Sequence, residues 1–181
     1  MGSTDYQILD SLFLCFKDQF IDLMGLQIGA FCNGKLLGAC LNNDLYSKVP
    51  LNHPFSDLNL PLIKATYSVQ VTLEASGIIH QGESGRYFQN LFVTIDPSLK
   101  SKGVTPRMLE MVTQLAQQAG FKQSYIECTN QAMLRVGVKC GFQNMGEFRY
   151  DEYEDENGKK IFAKVGKEYG GACTMLIKRY L

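Results

Sequence analysis

The stretch from Leu91 to Leu109, reading LFVTIDPSLKSKGVTPRML, constrains the fold of this chain more than any other. An apolar run of strand character ends at Asp96-Pro97, and a short loop carries Lys100, Lys102 and Gly103. An amphipathic helix follows, with Pro106 in its first turn. Pro is at home there, because the first turn of a helix leaves its N–H groups without intrahelical partners. Those N–H groups and the positive end of the helix dipole converge on the loop, an arrangement that holds phosphate without a dedicated side chain. The residues therefore predict a strand-loop-helix unit whose loop takes a phosphorylated ligand.

With 45% hydrophobic residues in 181, the chain can bury one sizeable core, and residues 1–181 read as a single domain. Eighteen basic side chains balance 18 acidic ones, so nothing in the net charge points to nucleic acid or an anionic membrane as partner. No apolar run approaches the roughly 20 residues that span a bilayer, and no signal segment opens the sequence. Six cysteines (Cys15, Cys32, Cys40, Cys128, Cys140, Cys173) form no C-x-x-C pair. The histidines, His53 and His80, lie far from any close cysteine pair, so neither a disulfide framework nor a metal site is expected. Each cysteine sits in an apolar run, the setting of a buried, reduced thiol in a cytoplasmic protein.

Periodicity places the elements. Leu9, Phe13, Phe16, Phe20 and Leu23 share one helical face, with Ser3, Thr4 or Asp5 as N-cap and Gly25 as stop. Residues 27–32 and 35–42 flank Asn33-Gly34, the dipeptide of a type I′ hairpin turn. Residues 43–59 read as irregular and 60–79 as a helix ended by the Gly82–Gly85 stretch, with His80 capping it. Arg86 to Asp96 reads as a strand, followed by the helix with Met108, Leu109, Met111, Val112, Leu115, Ala116 and Ala119 inward and Gly120 as its C-cap. A strand at 124–129, a helix at 131–139 stopped by Gly141, a strand at 143–150, a polar insertion at 151–171 and a strand at 172–180 complete the chain. Alternation of strand and helix in the middle requires parallel pairing there, and the ends supply antiparallel hairpins. The fold class is α+β, or mixed α/β, with a sheet of six or seven strands.

These residues carry a family resemblance. Lys100-Ser101-Lys102-Gly103-Val104-Thr105 stands where the GNAT superfamily of N-acetyltransferases has Arg or Gln, two residues, Gly, one residue, then Gly or Ala. Downstream come Gly120-Phe121-Lys122, Glu127-Cys128-Thr129-Asn130, Lys139-Cys140-Gly141-Phe142, Tyr150-Asp151-Glu152-Tyr153 and Glu156-Asn157-Gly158. That order is similar to the eukaryotic arylalkylamine (dopamine-type) branch. The resemblance covers residues 25–181 and is strongest from 86 onward. It implies a GNAT-like three-layer fold with a central mixed sheet, helices on both faces, and the family's first strand missing or shortened.

The resemblance also implies a ligand and roles. Acetyl-CoA would be the co-substrate and a small amine the acceptor, with no metal, and a homodimer stays open. Val93, Thr94 and Ile95 would pair through their main chain with the pantetheine arm. Lys100, Ser101, Lys102, Gly103, Val104 and Thr105 would hold the pyrophosphate, and Asn130 would hydrogen-bond the arm further along. Departures are visible too: Thr105 and Pro106 alter the loop, the last removing one N–H. Gly137 stands where many members have a tyrosine acid, and Met133 where the arylalkylamine branch often has serine.

Acyl transfer to an amine needs a base, donors for the oxyanion and often an acid for the thiolate. Glu127, at the end of a central strand, is the candidate catalytic base, its plainer reading being a solvated carboxylate. Tyr125 reads as a core aromatic, Asp151, Glu152 and Tyr153 as a solvated loop or the acceptor entrance, and Cys128 as lacking a histidine to activate it. Two functions follow: an acetyl-CoA-dependent N-acetyltransferase acting on a small primary amine by direct attack, or a catalytically impaired GNAT-fold protein that binds CoA or a protein partner.

Overall fold

A computed structural model describes residues 5–48, 67, 70–154, 157–162 and 171–180. Helix α1 (Asp5–Asp22) leads through a short 3-10 turn to β1 (Ile28–Cys32) and β2 (Lys35–Asp44). Residues 70–75 are helical. Then come β3 (Tyr87–Ile95), α2 (Val104–Gln118), β4 (Gln123–Cys128), α3 (Gln131–Lys139), β5 (Gln143–Arg149) and β6 (Ala172–Arg179). The six strands form one mixed sheet in the order β1-β2-β3-β4-β6-β5. Only β3 and β4 run parallel, because α2 crosses between them.

Each boundary has a local cause. Asn33 (φ 49°) and Gly34 (φ 77°) both take the left-handed conformation that the β1–β2 turn requires. Gly120 and Gly141 end α2 and α3 in the same way. Phe121 N–H bonds Ala116 C=O at 3.1 Å and Phe142 N–H bonds Gly137 C=O at 3.0 Å; with Gly120 N–H to Gln117 C=O and Gly141 N–H to Val138 C=O these complete a Schellman stop at each helix, with a phenylalanine as apolar anchor.

The sheet is covered on both faces. Against one lie α2 and α3, packing Met108, Leu109, Val112 and Ala116 onto Cys40, Phe88, Ile126 and Leu176. On the other, Leu73 and Ile79 pack with Tyr87, Tyr125, Tyr150, Met175 and Ile177. On that side too, α1 sets Phe16 and Phe20 edge-on to Phe92. Burying aliphatic side chains as Leu109 and Val112 are buried contributes about 1.5–3 kcal/mol apiece.

The structure corrects four expectations. Strand β2 continues through Asn43 and Asp44 instead of ending at Asn42, because both find partners: they pair with Gln89 and Phe88, and the Asp44 carboxylate accepts from Gly85 N–H and Ser84 Oγ. The helix expected to reach residue 79 stops at 75, where Gly77 (φ 71°) turns the chain and drops Ile79 into the core. His80 therefore caps no helix. Within α2, Met111 is 40% exposed and Ala119 exposed, and buried Thr113 takes an inward place by bonding its Oγ1 to Glu110 C=O. The stretches 49–66 and 163–170 lie outside the described residues. All six cysteines are free, five of them buried and Cys32 exposed. Among the described residues no helix is long and apolar enough to cross a membrane, and no group of acidic, His or Cys side chains could hold a metal.

Candidate active site at the split between two parallel strands

Strand β3 is nine residues long, yet only its first four pair with β4: Tyr87 to Asn90 lie against Gln123 to Ile126, and the ladder ends there. At the same point β3 bulges. Phe92 and Asn90 face the adjacent residues Leu41 and Asn42 on β2, which leaves Leu91 with no partner across the strand. A bulge bends its strand and sharpens the twist, so it separates β3 from β4 where pairing stops. From Phe92 to Ile95 the strand is paired on the β2 side only, and among the described residues its other edge has no strand partner, which leaves main-chain groups open there.

The split opens into a cleft of about 460 Å³. Glu127 stands on its wall with Phe16, Tyr67 and Phe92, and it is the one charged side chain among the described residues that line the cleft. Burial pushes its carboxyl up to about 7, and the Tyr125 O–H, donating at 3.1 Å, pulls the other way. It makes no ion pair among the described residues. A carboxyl held near neutrality and facing a cleft suits proton transfer at physiological pH. Cys128 turns to the opposite face, where burial pushes its thiol up to about 12 and makes it inert.

The loop after β3 is built in two steps. The Asp96 carboxylate accepts from Ser98 N–H at 2.9 Å and starts a 3-10 turn, Pro97–Leu99. Ser101 (φ 63°) and Gly103 (φ 75°) then take left-handed conformations that aim the chain into α2. Among the described residues no side chain caps α2 and the N–H groups of Val104 and Thr105 have no partner, and Pro106 removes the next one. Lys100 and Lys102 are exposed beside them. Asn130 is the N-cap of α3: its Oδ1 accepts from Met133 N–H at 2.9 Å, so what it can offer the cleft is its amide NH₂. The structure thus sets Glu127, Asn130 and Val93 around one cleft, and leaves Lys100 to Thr105 at the far end of the same strand.

No family model matches the sequence, and no curated protein does. Solved structures do match. The C-terminal condensation domain of Ebony, in complex with β-alanyl-dopamine, superposes with a TM-score of 0.85 at 10% identity, over 99% of this chain and 84% of that one. The mosquito arylalkylamine N-acetyltransferase like 5b gives 0.76 at 16% identity, over 99% and 82%. Arylalkylamine N-acetyltransferase 2 from Aedes aegypti gives 0.71 at 18%, over 98% and 97%. The chain has the GNAT fold.

Within the GNAT fold the departures noted in the sequence gain a physical form. Gly137 is buried on the inner face of α3, and a Cβ built there would fall on Leu176 Cδ1, well inside contact distance. Met133 lies half-buried on the cleft wall as an apolar filler. Asp151 and Glu152 pair with Arg149, and Tyr153 packs on Phe148 and Phe162, away from the cleft. Sequence reasoning missed the carboxamides of Gln19, Asn43, Gln89 and Asn90, which line the cleft. One signal was available: Asn is depleted in strand interiors, yet Asn42, Asn43 and Asn90 sit in β2 and β3.

Proposed function

We propose that the chain is an acetyl-CoA-dependent N-acetyltransferase that takes a small primary amine, with residues 1–181 as one acyl-CoA-binding domain. The observation that carries this reading is Glu127, raised toward neutrality at the wall of the cleft where β3 and β4 part. Its roles follow from the chain's own groups. The open edge of β3 from Val93 to Ile95 accepts an extended arm as an added strand would be accepted. The N–H groups of Val104 and Thr105, with Lys100, Ser101, Lys102 and Gly103 around them, favour the negative pyrophosphate.

Acetyl-CoA supplies an activated thioester carbonyl. Glu127 takes the proton from the acceptor ammonium, whose nitrogen then forms the new C–N bond as the C–S bond breaks. The loss of an acid at Gly137 and Met133 is tolerable, because a thiol with a pKa of about 8.5 can depart as thiolate near neutral pH. One carboxylate among aromatic and carboxamide walls fits an acceptor with one ammonium and a flat apolar body better than a polyamine. The arylalkylamine acetyltransferases and the Ebony domain bound to an amide of dopamine support that choice.

The second reading, a GNAT-fold protein that binds CoA or a partner without transfer, draws on the sealed space at Gly137. Thiol release with acetyl-CoA and a panel of arylalkylamines and polyamines separates the two. Release with an arylalkylamine, falling about 100-fold or more in Glu127→Gln, is the expected result. Silence across the panel favours the second reading, and an unchanged Glu127→Gln rate removes Glu127 as base.

A further inference from the structure

A chain of buried carboxamides ends beside the split with one acceptor unmet. Asn42 is fully buried, and its Nδ2 donates to Leu26 C=O at 2.8 Å and to Cys40 C=O at 3.2 Å. Carbonyls only accept, so the orientation of that amide is fixed and its Oδ1 must accept in turn. It does so from Asn90 Nδ2 at 2.7 Å and from Cys40 Sγ at 3.3 Å. Asn90 is thereby oriented too: its NH₂ faces β2 and its Oδ1 faces away. That oxygen has no hydrogen-bond partner among the described residues, on a residue 3% exposed that lines the cleft. A buried acceptor left unmet is destabilising, so its retention calls for a bonding partner.

Position says which substrate would supply one. Asn90 is the last β3 residue paired with β4, one step before the bulge at Leu91. Its side chain bonds that of Asn42, on the face that α2 and α3 cover, and Cys40 and Phe88 share that face. Glu127 lies on the other. Val93 and Ile95, on the open edge of β3, and Val104, at the N-terminus of α2, pack on the Asn90 side. We propose that Asn90 Oδ1 accepts a hydrogen bond from an N–H of the acyl donor and so positions its thioester at the point of the split. This inference rests on the acyltransferase reading. The N–H has two sources, an amide of the pantetheine arm, present in every acyl-CoA, or an amino group on the acyl chain itself.

The test compares wild type with Asn90→Ala, Asn90→Leu and Asn90→Thr. The readouts are the Kd for CoA, kcat and KM for acetyl-CoA and β-alanyl-CoA, and KM for the amine. Cys40 Sγ still serves Asn42 in the Ala and Leu variants, and the Thr hydroxyl can donate to Asn42 and accept from the ligand at once. The Ala and Leu variants are expected to weaken CoA about tenfold if the pantetheine amide is the source. If the acyl amino group is the source, they lose about tenfold in kcat/KM for β-alanyl-CoA alone. Asn90→Thr should retain most of either, and KM for the amine should hold. Equal behaviour of all variants with every donor overturns the role of Asn90, as does an equal loss toward donor and amine. A wild type that binds no CoA overturns the parent reading and this one together.

Discussion

Glu127 concentrates the residue-scale argument. A phenol bonds it and carboxamides line the same cleft, and no Lys or Arg among the described residues balances it, so ionisation is costly and burial raises the carboxyl from 4.5 to about 7. The folded state therefore binds the Glu127 proton more tightly than the unfolded state. Stability from this group is complete below pH 4.5 and is lost as the pH rises through about 7. Glu127→Gln, which has no charge to bury, should gain on wild type across that window by up to about 3 kcal/mol. Urea midpoints at pH 5 and pH 8 measure it, and parallel pH dependence in both proteins would refute the shift. The same carboxylate should give kcat/KM a rising limb centred near pH 7, absent in Glu127→Gln.

At the scale of elements, α3 shows how a helix can be fixed at both ends and sealed along one side. Asn130 caps its start, Gly141 and Phe142 close its end, and Lys178 Nζ donates to Cys140 C=O at 2.9 Å. Along its inner face Gly137 lets the helix approach β6 so closely that a Cβ there would meet Leu176 Cδ1 and force that side chain to shift. Gly137→Tyr, which introduces the tyrosine that the family resemblance leads one to expect there, should therefore lose about 2–3 kcal/mol by overpacking and bring no gain in turnover. Thermal unfolding and thiol release check the two halves; a stable, faster variant would show that Leu176 can yield. The helix was legible as a short segment stopped by Gly141, whereas the reason for Gly137 was not, because Leu176 comes 39 positions later. The overlong reading of the helix near residues 70–75 has the same origin: only burial of Ile79 reveals that the chain turns at Gly77.

On the scale of the whole molecule, the cleft and the loop lie at opposite ends of one strand segment, so ligand binding should register as global stability. Excess acetyl-CoA at a hundred times Kd should add about 2.7 kcal/mol, several degrees in Tm for a domain of this size. Gly103→Asp should abolish that shift relative to its own ligand-free Tm, since it sets a carboxylate at a left-handed position beside the uncommitted N–H groups of α2. An undiminished shift would place the ligand elsewhere. The order of elements, the Asn33-Gly34 turn, the strand-loop-helix unit and the parallel step between β3 and β4 were written in local pattern, because periodicity and turn chemistry act over a few residues. Glu127 could be named from its place at a strand end, but its raised carboxyl could not, because burial is supplied by α1, β2 and β3 from distant parts of the chain. The bulge at Leu91, the split it opens and the amide chain ending at Asn90 were decided only in three dimensions. They depend on register between strands, and register is fixed by the packing of the whole sheet, not by any one strand's residues.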